Sequence, residues 1–299
     1  MSGGEAGSDA GGGGAGGPGD PRRALDAIGA LPDTEIDIAG AAVQLARVDA
    51  PAADWHAVAE QLSALARDAV VLNAGDDVSA RAGALAGLIS GRYGFIGDAE
   101  TYDDPANANM IQVVERRRGL PVALGVVWLH CARAAGWDAH GLDFPGHFLL
   151  SLGGAAPRNK QRQPTPQNVV LDVFSGGTPL DARDLRELVK RVEGPAAELR
   201  PGLLAPMSTR AVLLRLQNNI KGRRLATGDL PGALACTEDM LRIAPEAAPL
   251  WREAALMHQR LDQVAAAVRC FERFLQLVPK GDAAARVRSA MDELRGRLN

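Results

Sequence analysis

The sequence predicts an α+β fold, in which a buried helix is followed by an antiparallel sheet, and an all-α repeat segment after it. Three observations predict this arrangement. Residues 121–135 are apolar on every side for four turns, and the residues beyond Gly136 change to strand-like alternation. Apolar and small residues beyond position 209 recur 34 residues apart.

The buried helix has a start signal and a stop signal. Pro121 suits the first helical position, because the first N–H groups of a helix have no intrahelical partner. Gly136 suits the left-handed position that ends a helix. A helix that is apolar on all sides belongs inside a protein, so residues 121–135 are predicted to be the core helix.

The sheet is predicted from segments with strand character and from the Pro145–Gly146 turn signal between the first two of them. These segments are Ala139–Leu142, His147–Leu152 and Asn168–Phe174. His147 therefore opens the second predicted strand, and Asp172 lies inside the third. Between these two strands lies an unusually polar loop, Gly153–Gln167.

A histidine and an aspartate on neighbouring strands suit a catalytic pair. The preceding helix should then present a nucleophile from its first turn, where the helix dipole lowers the pKa of a thiol. That turn holds Pro121, flanked by Leu120 and Val122, and none of these side chains can attack a carbonyl. Cys131 follows Pro121 at about 15 Å along the helix axis, near the end where the dipole raises a thiol pKa.

Two runs of sequence resemble the SirB-type transglutaminase-like family, whose members carry a tetratricopeptide tail. They are ERRRGLPVALGVVWLHCARAAGWDAHGLDFPGHFLL at residues 115–150 and LDVFSGG at residues 171–177. The segments Tyr93–Phe95 and Tyr102–Asn107 are also similar to that family, and the resemblance covers about residues 30–295.

This resemblance implies a papain/transglutaminase-like core in which His147 and Asp172 match the family's His and Asp. The nucleophilic cysteine does not match, and Val173 stands where the family more often has proline. Six further residues are expected to line a substrate- or partner-binding pocket near the pair. They are Arg118, Gly119, Pro121, His140, Asp143 and Gly146.

Two of these assignments have a structural alternative. Arg116, Arg117 and Arg118 could form a guanidinium fork for a carboxylate or phosphate, or they could pair with Glu115 and nearby acids on a solvated face. His147 could line a pocket, or it could be a hydrogen-bonded core histidine.

Composition limits the classes of function. The 299 residues carry a net charge of −3, so no overall field favours nucleic acid or an anionic membrane. Three cysteines without a CxxC spacing argue against a disulfide framework and a zinc site. Residues 1–20 have no signal-peptide pattern, so a cytoplasmic protein without cofactor or metal is expected.

The domain organisation follows from composition and helix signals. The Gly-rich residues 1–30 are predicted to be a disordered tail, and residues 31–194 a transglutaminase-like domain. Residues 195–208 contain three prolines and are predicted to be a linker. The helices expected in the first domain are Trp55 to about Leu72 with Asp54 as N-cap, Val78–Ser90, Asn107–Arg117, and one between Asp181 and Gly194.

Residues 209–299 are predicted to form two tetratricopeptide-like repeats and a capping helix from Asp282 to Leu298. Five residue pairs are separated by the 34 residues of this repeat: Ala233 and Ala267, Met240 and Phe274, Leu241 and Leu275, Ile243 and Leu277, Pro245 and Pro279. Because about three repeats are needed for independent stability, the two units should dock on the first domain.

Two hypotheses for function remain. The first is a non-catalytic regulatory or scaffold protein that binds a peptide or protein partner. The second is a cryptic hydrolase or acyl transferase in which a His147–Asp172 pair acts on amide or ester bonds. Neither hypothesis specifies an oligomeric state.

Overall fold

The structure, a computed structural model, describes residues 19–153, 168–200 and 202–296, and it confirms the α+β class with a following all-helical segment. The helices in these residues are α1 (Pro21–Ala30), α2 (Ile38–Asp49), α3 (Trp55–Val70), α4 (Val78–Ala86), α5 (Met110–Arg116), α6 (Pro121–Ala134), α7 (Ala182–Glu193), α8 (Thr209–Ala226), α9 (Leu230–Ile243), α10 (Ala248–Arg260), α11 (Val264–Leu277) and α12 (Asp282–Gly296). The strands are β1 (Ile96–Gly97), β2 (Arg118–Gly119), β3 (Ala139–Phe144), β4 (His147–Gly153), β5 (Asn168–Asp172) and β6 (Thr178–Leu180).

The main sheet is an antiparallel meander in the order β3-β4-β5-β6, and β1 and β2 form a separate parallel pair. The first three strands of the meander are those that the sequence predicts. Strand β6 is not predicted, because three residues with a central Pro179 give little strand signal.

Helix α6 is the centre of the core. Eleven of its fourteen residues are buried, as the all-round apolar pattern predicts. One face packs on β4, where a Cβ added at Gly125 would lie 2.1 Å from the ring of Phe148. Glycine therefore lets helix and sheet approach closely, while α2, α3 and α5 cover other faces of α6. No helix in the described residues is long and apolar enough to cross a membrane.

Side-chain hydrogen bonds set two helix boundaries, and a third predicted helix changes its helix type. The Asp54 carboxylate caps α3 by accepting from the amide of Ala57 at 3.2 Å, as predicted. The predicted Val78–Ser90 helix instead changes to a π-helical turn after α4. The predicted Asn107–Arg117 helix is divided, because the Asn109 side chain accepts from the first amides of α5 and so caps a new helix.

The structure differs from the predicted disordered tail in its last ten residues. Residues 21–30 form α1, which packs against α2 and α9 and buries Leu25 completely. Ion pairs from Arg22 to Asp239 at 2.9 Å and from Arg242 to Asp26 at 2.8 Å hold it there. These partners lie more than 200 residues away in sequence, so the local composition did not indicate them. Residues 1–18 and the Gly154–Gln167 part of the polar loop lie outside the described residues.

The repeat segment consists of the helix pairs α8–α9 and α10–α11, with α12 packed on α11. Ala233 and Ala267, one repeat apart, are both fully buried. Val212, Leu213 and Leu216 of α8 belong to the core that surrounds α6. The repeats are therefore docked on the α+β part through α8.

The contact between α6 and β4 generates a stability prediction. Gly125→Ala should lower the free energy of unfolding by about 1–3 kcal/mol, because the added methyl group overpacks against Phe148. Thermal and urea unfolding would measure this. Gly83→Ala is the matched control, since Gly83 lies inside α4 with nothing within 4 Å of an added Cβ. It should be neutral or stabilising by up to about 1 kcal/mol. Equal effects of the two substitutions would contradict the close contact.

Candidate functional site

Antiparallel pairing of β4 with β5 brings His147 and Asp172 together. His147 is the first residue of β4 and Asp172 the last of β5. The Nε2 atom of His147 lies 2.9 Å from Oδ1 of Asp172, and the two side chains are only 15% and 17% exposed. Nδ1 of the imidazole makes no hydrogen bond with any described residue. One ring nitrogen is thus fixed, and the other is available to a ligand.

The Asp172 carboxylate organises the turn that follows β5. Its Oδ1 accepts hydrogen bonds from the amides of Phe174 at 3.0 Å and Ser175 at 3.3 Å, and its Oδ2 accepts from the Ser175 hydroxyl at 2.8 Å. Burial alone would raise the pKa of Asp172. The hydrogen bonds from His147 and Ser175 outweigh burial, so the pKa is lowered from its ordinary value. The carboxylate therefore stays ionised at neutral pH and orients the imidazole.

An aromatic wall flanks the pair. The edge-on rings of His147 and Phe174 are 6.2 Å apart, and those of Phe174 and Tyr102 are 5.9 Å apart. Phe174 lies directly over Gly97, where an added Cβ would come within 2.4 Å of its ring. Tyr102 is 42% exposed, so this wall reaches the surface.

The start of α6 is connected to Phe174 through the β1–β2 strand pair. Strand β1 pairs with β2, which places Gly97 opposite Gly119. Leu120 is the N-cap of α6 without a side-chain hydrogen bond, and Pro121 occupies the first turn. Gly119 and Pro121 are therefore connected to the His147 site through Gly97 and Phe174.

The three arginines before α6 have different environments. Arg116 donates hydrogen bonds to Asp98 at 3.0 Å and to Asn107 at 3.2 Å, so it pairs with an acid, but with the buried Asp98 and not on a solvated face. Hydrogen bonds from Thr101, the largest cause, lower the pKa of Asp98 to about 2. Arg117 ends α5 in the left-handed region with φ 57°. Arg118 is exposed and forms no ion pair with described residues, so its charge is available.

The other expected pocket residues are not gathered around His147. His140 is paired with Asp138 at 2.8 Å and lines a separate cavity of about 750 Å³ between α2, the end of α6 and the start of α8. Asp143 forms an ion pair with Arg215 of α8. Gly146 lies in the β3–β4 turn beside Val192 of α7. In the part of the chain that the structure describes, no group of three His, Cys, Asp or Glu side chains could hold a metal ion.

The three thiols of the chain are buried and do not contribute to the His147 site. Cys131 is completely buried, and burial raises its pKa to about 12. Burial likewise raises the pKa values of Cys236 and Cys270 to about 11. Within the described residues, no thiol or hydroxyl is hydrogen-bonded to the His147 ring, since Ser175 bonds to Asp172 instead.

Sequence reasoning missed Phe174 and Tyr102 as residues of the site. Both lie in the quoted segments Tyr102–Asn107 and LDVFSGG. Because each of these family-like segments contains an aromatic residue, the sequence could have indicated an aromatic contribution to the site. Arg215 and Arg223 of α8, which contact the site's walls, had no such signal, because they lie far from it in sequence.

The site geometry and the sheet-on-helix core define a transglutaminase-like protein, and comparison with known proteins agrees. Residues 55–218 match the family described as the transglutaminase-like superfamily, and residues 220–292 match the tetratricopeptide repeat. The chain belongs to the transglutaminase-like superfamily and carries tetratricopeptide repeats.

Its relatives include bacterial proteins named UPF0162. The one from Xylella fastidiosa strain Temecula1 is 31% identical over 207 residues, which cover 68% of this chain and 70% of the relative. The one from Pseudomonas aeruginosa is 28% identical over 277 residues, covering 92% and 96%. A crystal structure of menin aligns over 85% of this chain and 69% of that chain with 10% identity and a TM-score of 0.41, a likeness too low to carry a functional argument.

Burial of all three thiols generates a prediction about reactivity. The folded protein should not react with 5,5′-dithiobis(2-nitrobenzoate) at pH 8 on the time scale of free cysteine, because a protonated, buried thiol is not a nucleophile. Denaturant should expose three thiols per chain. Rapid labelling of Cys131 in the folded protein at pH 8, mapped by mass spectrometry, would contradict this description of the thiol.

Proposed function

We propose that this protein is a non-catalytic regulatory or scaffold protein whose transglutaminase-like pocket binds a peptide or protein partner. The observation that carries the proposal is the residue at the start of α6. An attacking thiolate would stand there, at the positive end of the helix dipole, and the chain has Pro121. The cysteine further along α6 is fully buried, with a pKa raised to about 12.

The groups around His147 suit recognition of an extended peptide. Phe174 and the half-exposed Tyr102 provide an aromatic surface for an apolar side chain. The free Nδ1 of His147 can exchange a hydrogen bond with a peptide group. Arg118, which has no partner among described residues, adds a positive charge that favours an acidic residue or a terminal carboxylate.

The repeat segment is a second observation that supports protein binding. Tetratricopeptide repeats suggest protein–protein interaction, and residues 220–292 match that repeat. We assign the chain to the SirB-type group and to the cytoplasm, without nucleic acid, membrane or cofactor in its function. The motif at residues 115–150 supports the group, the unpaired cysteines support a reducing compartment, and the net charge of −3 supports the absence of nucleic acid and an anionic membrane.

A second function is favoured by one specific observation. The fixed His147–Asp172 hydrogen bond and the free Nδ1 are what a general base requires. Nδ1 could accept a proton from water as the water oxygen attacks an ester or amide carbonyl, and then return it to the leaving group. This hydrolase, or the corresponding acyl transferase, needs no nucleophile from α6.

The two functions are separated by comparing His147→Ala with His140→Ala. His140 is the matched control, because it lies on the same sheet but lines another cavity. Wild type should retain a partner from native cytosol and show no turnover of nitrophenyl esters or casein. His147→Ala should reduce partner retention by about tenfold, the loss expected for about 1.4 kcal/mol, and His140→Ala should leave it unchanged.

Turnover by the wild type that disappears in His147→Ala, at unchanged thermal stability, would establish the hydrolase and overturn the scaffold. Leu256→Glu extends the test to the repeats, since Leu256 is an exposed apolar residue of α10. It should weaken partner retention without changing the His147 site.

A further inference from the structure

We propose that α8, the first repeat helix, positions the two walls of the His147 site through Arg215 and Arg223, and so couples the repeats to that site. This proposal rests on the proposed function, in which the pocket receives the partner. It assigns roles to two arginines that do not themselves touch the His147 ring.

Arg215 holds the hairpin that carries His147. Its guanidinium forms an ion pair with Asp143 and donates hydrogen bonds to the carbonyl oxygens of Phe144 at 3.3 Å and His147 at 2.5 Å. It also lies 5.8 Å from the centroid of the Phe148 ring. One planar group thus bridges the last residues of β3 and the first of β4. Because the His147 carbonyl is one of its acceptors, Arg215 fixes the backbone from which the imidazole projects.

Arg223 holds the opposite wall. Its Nε donates to the carbonyl oxygen of Asp103 at 2.8 Å, and its Nη2 donates to that of Tyr102 at 3.0 Å. The Tyr102 ring contacts Phe174, whose ring contacts His147. The aromatic wall is therefore anchored to the same helix as the hairpin.

The helix that carries both arginines is also part of the repeat array. Lys221 forms an ion pair with Glu253 of α10 at 2.8 Å, and Leu214 packs in the core of the repeats. Arg215 and Arg223 are eight residues apart, or about 12 Å along a helix axis. A rigid helix of this length sets the separation between the two anchored walls.

A regulatory consequence follows from this connectivity. A partner that binds the repeats and displaces α10 relative to the α+β part acts on α8 and so on both walls. By thermodynamic linkage, occupation of the pocket then changes the affinity of the repeats by the same factor. The affinity of each part of the chain for the partner would therefore depend on whether the other part is occupied.

The test uses the full chain without any partner and measures only the environment of His147. A negative result would therefore overturn the positioning role of α8 without bearing on whether the site binds a partner. The variants are Arg215→Gln and Arg223→Gln, and the matched control is Arg252→Gln, an exposed arginine of α10. Two readouts are measured at constant pH. One is the ¹³Cε1–Hε1 NMR signal of each of the five histidines, and the other is the rate of diethyl pyrocarbonate modification of each by peptide mass spectrometry.

Arg215→Gln should change the modification rate of His147 by about threefold or more, within the range of couplings carried by packed contacts, and should shift its signal. Arg223→Gln should affect His147 in the same assay through Tyr102 and Phe174, and Arg252→Gln should leave it unchanged. His130, which is held to the Leu62 carbonyl on α3 at 3.1 Å, is the internal reference and should not respond.

An unchanged His147 in both variants would overturn the proposal, as would a uniform change of all five histidines, which would indicate general loosening. If Arg215→Gln fails to fold, Arg215→Lys replaces it. A lysine ammonium cannot reproduce the planar fork across the acceptors of the hairpin, so His147 should still respond. A Lys variant identical to wild type in both readouts would show that the fork does not position the histidine.

Discussion

The close contact between α6 and the sheet is the constraint on which the rest of the structure depends. Gly125 allows the Phe148 ring to lie against the helix backbone, and the opposite faces of α6 are covered by α2, α3 and α5. A helix enclosed in this way cannot shift along its axis without opening voids in the core. Its start is therefore fixed beside β1 and Phe174. The position of the candidate site follows from that packing.

The chemical character of the site follows from how charge is distributed around this core. Asp172 stays ionised because the hydrogen bonds from His147 and Ser175 outweigh its burial, whereas the thiol of Cys131 stays protonated because nothing compensates its burial. The chain thus keeps an oriented imidazole and gives it no activated sulfur among the described residues. Tyr102 is exposed, and Arg118 is exposed without an ion-pair partner among the described residues; in the proposed function these two groups contact the partner.

Local sequence signals predicted the parts of the structure that local forces determine. The all-round apolar pattern, Pro121 and Gly136 predicted α6, and alternation predicted the strands that bring His147 to Asp172. Helix α1 was not predicted, because it is held by packing against α2 and α9 and by ion pairs with Asp239 and Arg242, which are distant in sequence. His140 was wrongly expected beside His147 for a similar reason: its partner Asp138 and the separate cavity could not be inferred from strand alternation. The contacts of Arg215 span about 70 residues of sequence, which no periodicity can reveal.

The proposed function requires that the start of α6, which is connected to Phe174 through Gly97 and Gly119, stands where a transglutaminase-like site places its nucleophile. The most direct measurement is the pH dependence of iodoacetamide labelling in Pro121→Cys, with the buried native thiols as internal references. The introduced thiol should ionise below its ordinary pKa of about 8.5 and become less reactive at pH 7 when His147→Gln is added. A thiol that titrates as free cysteine does, and whose reactivity does not change when His147 is replaced, would show that the start of α6 is not the nucleophile's position.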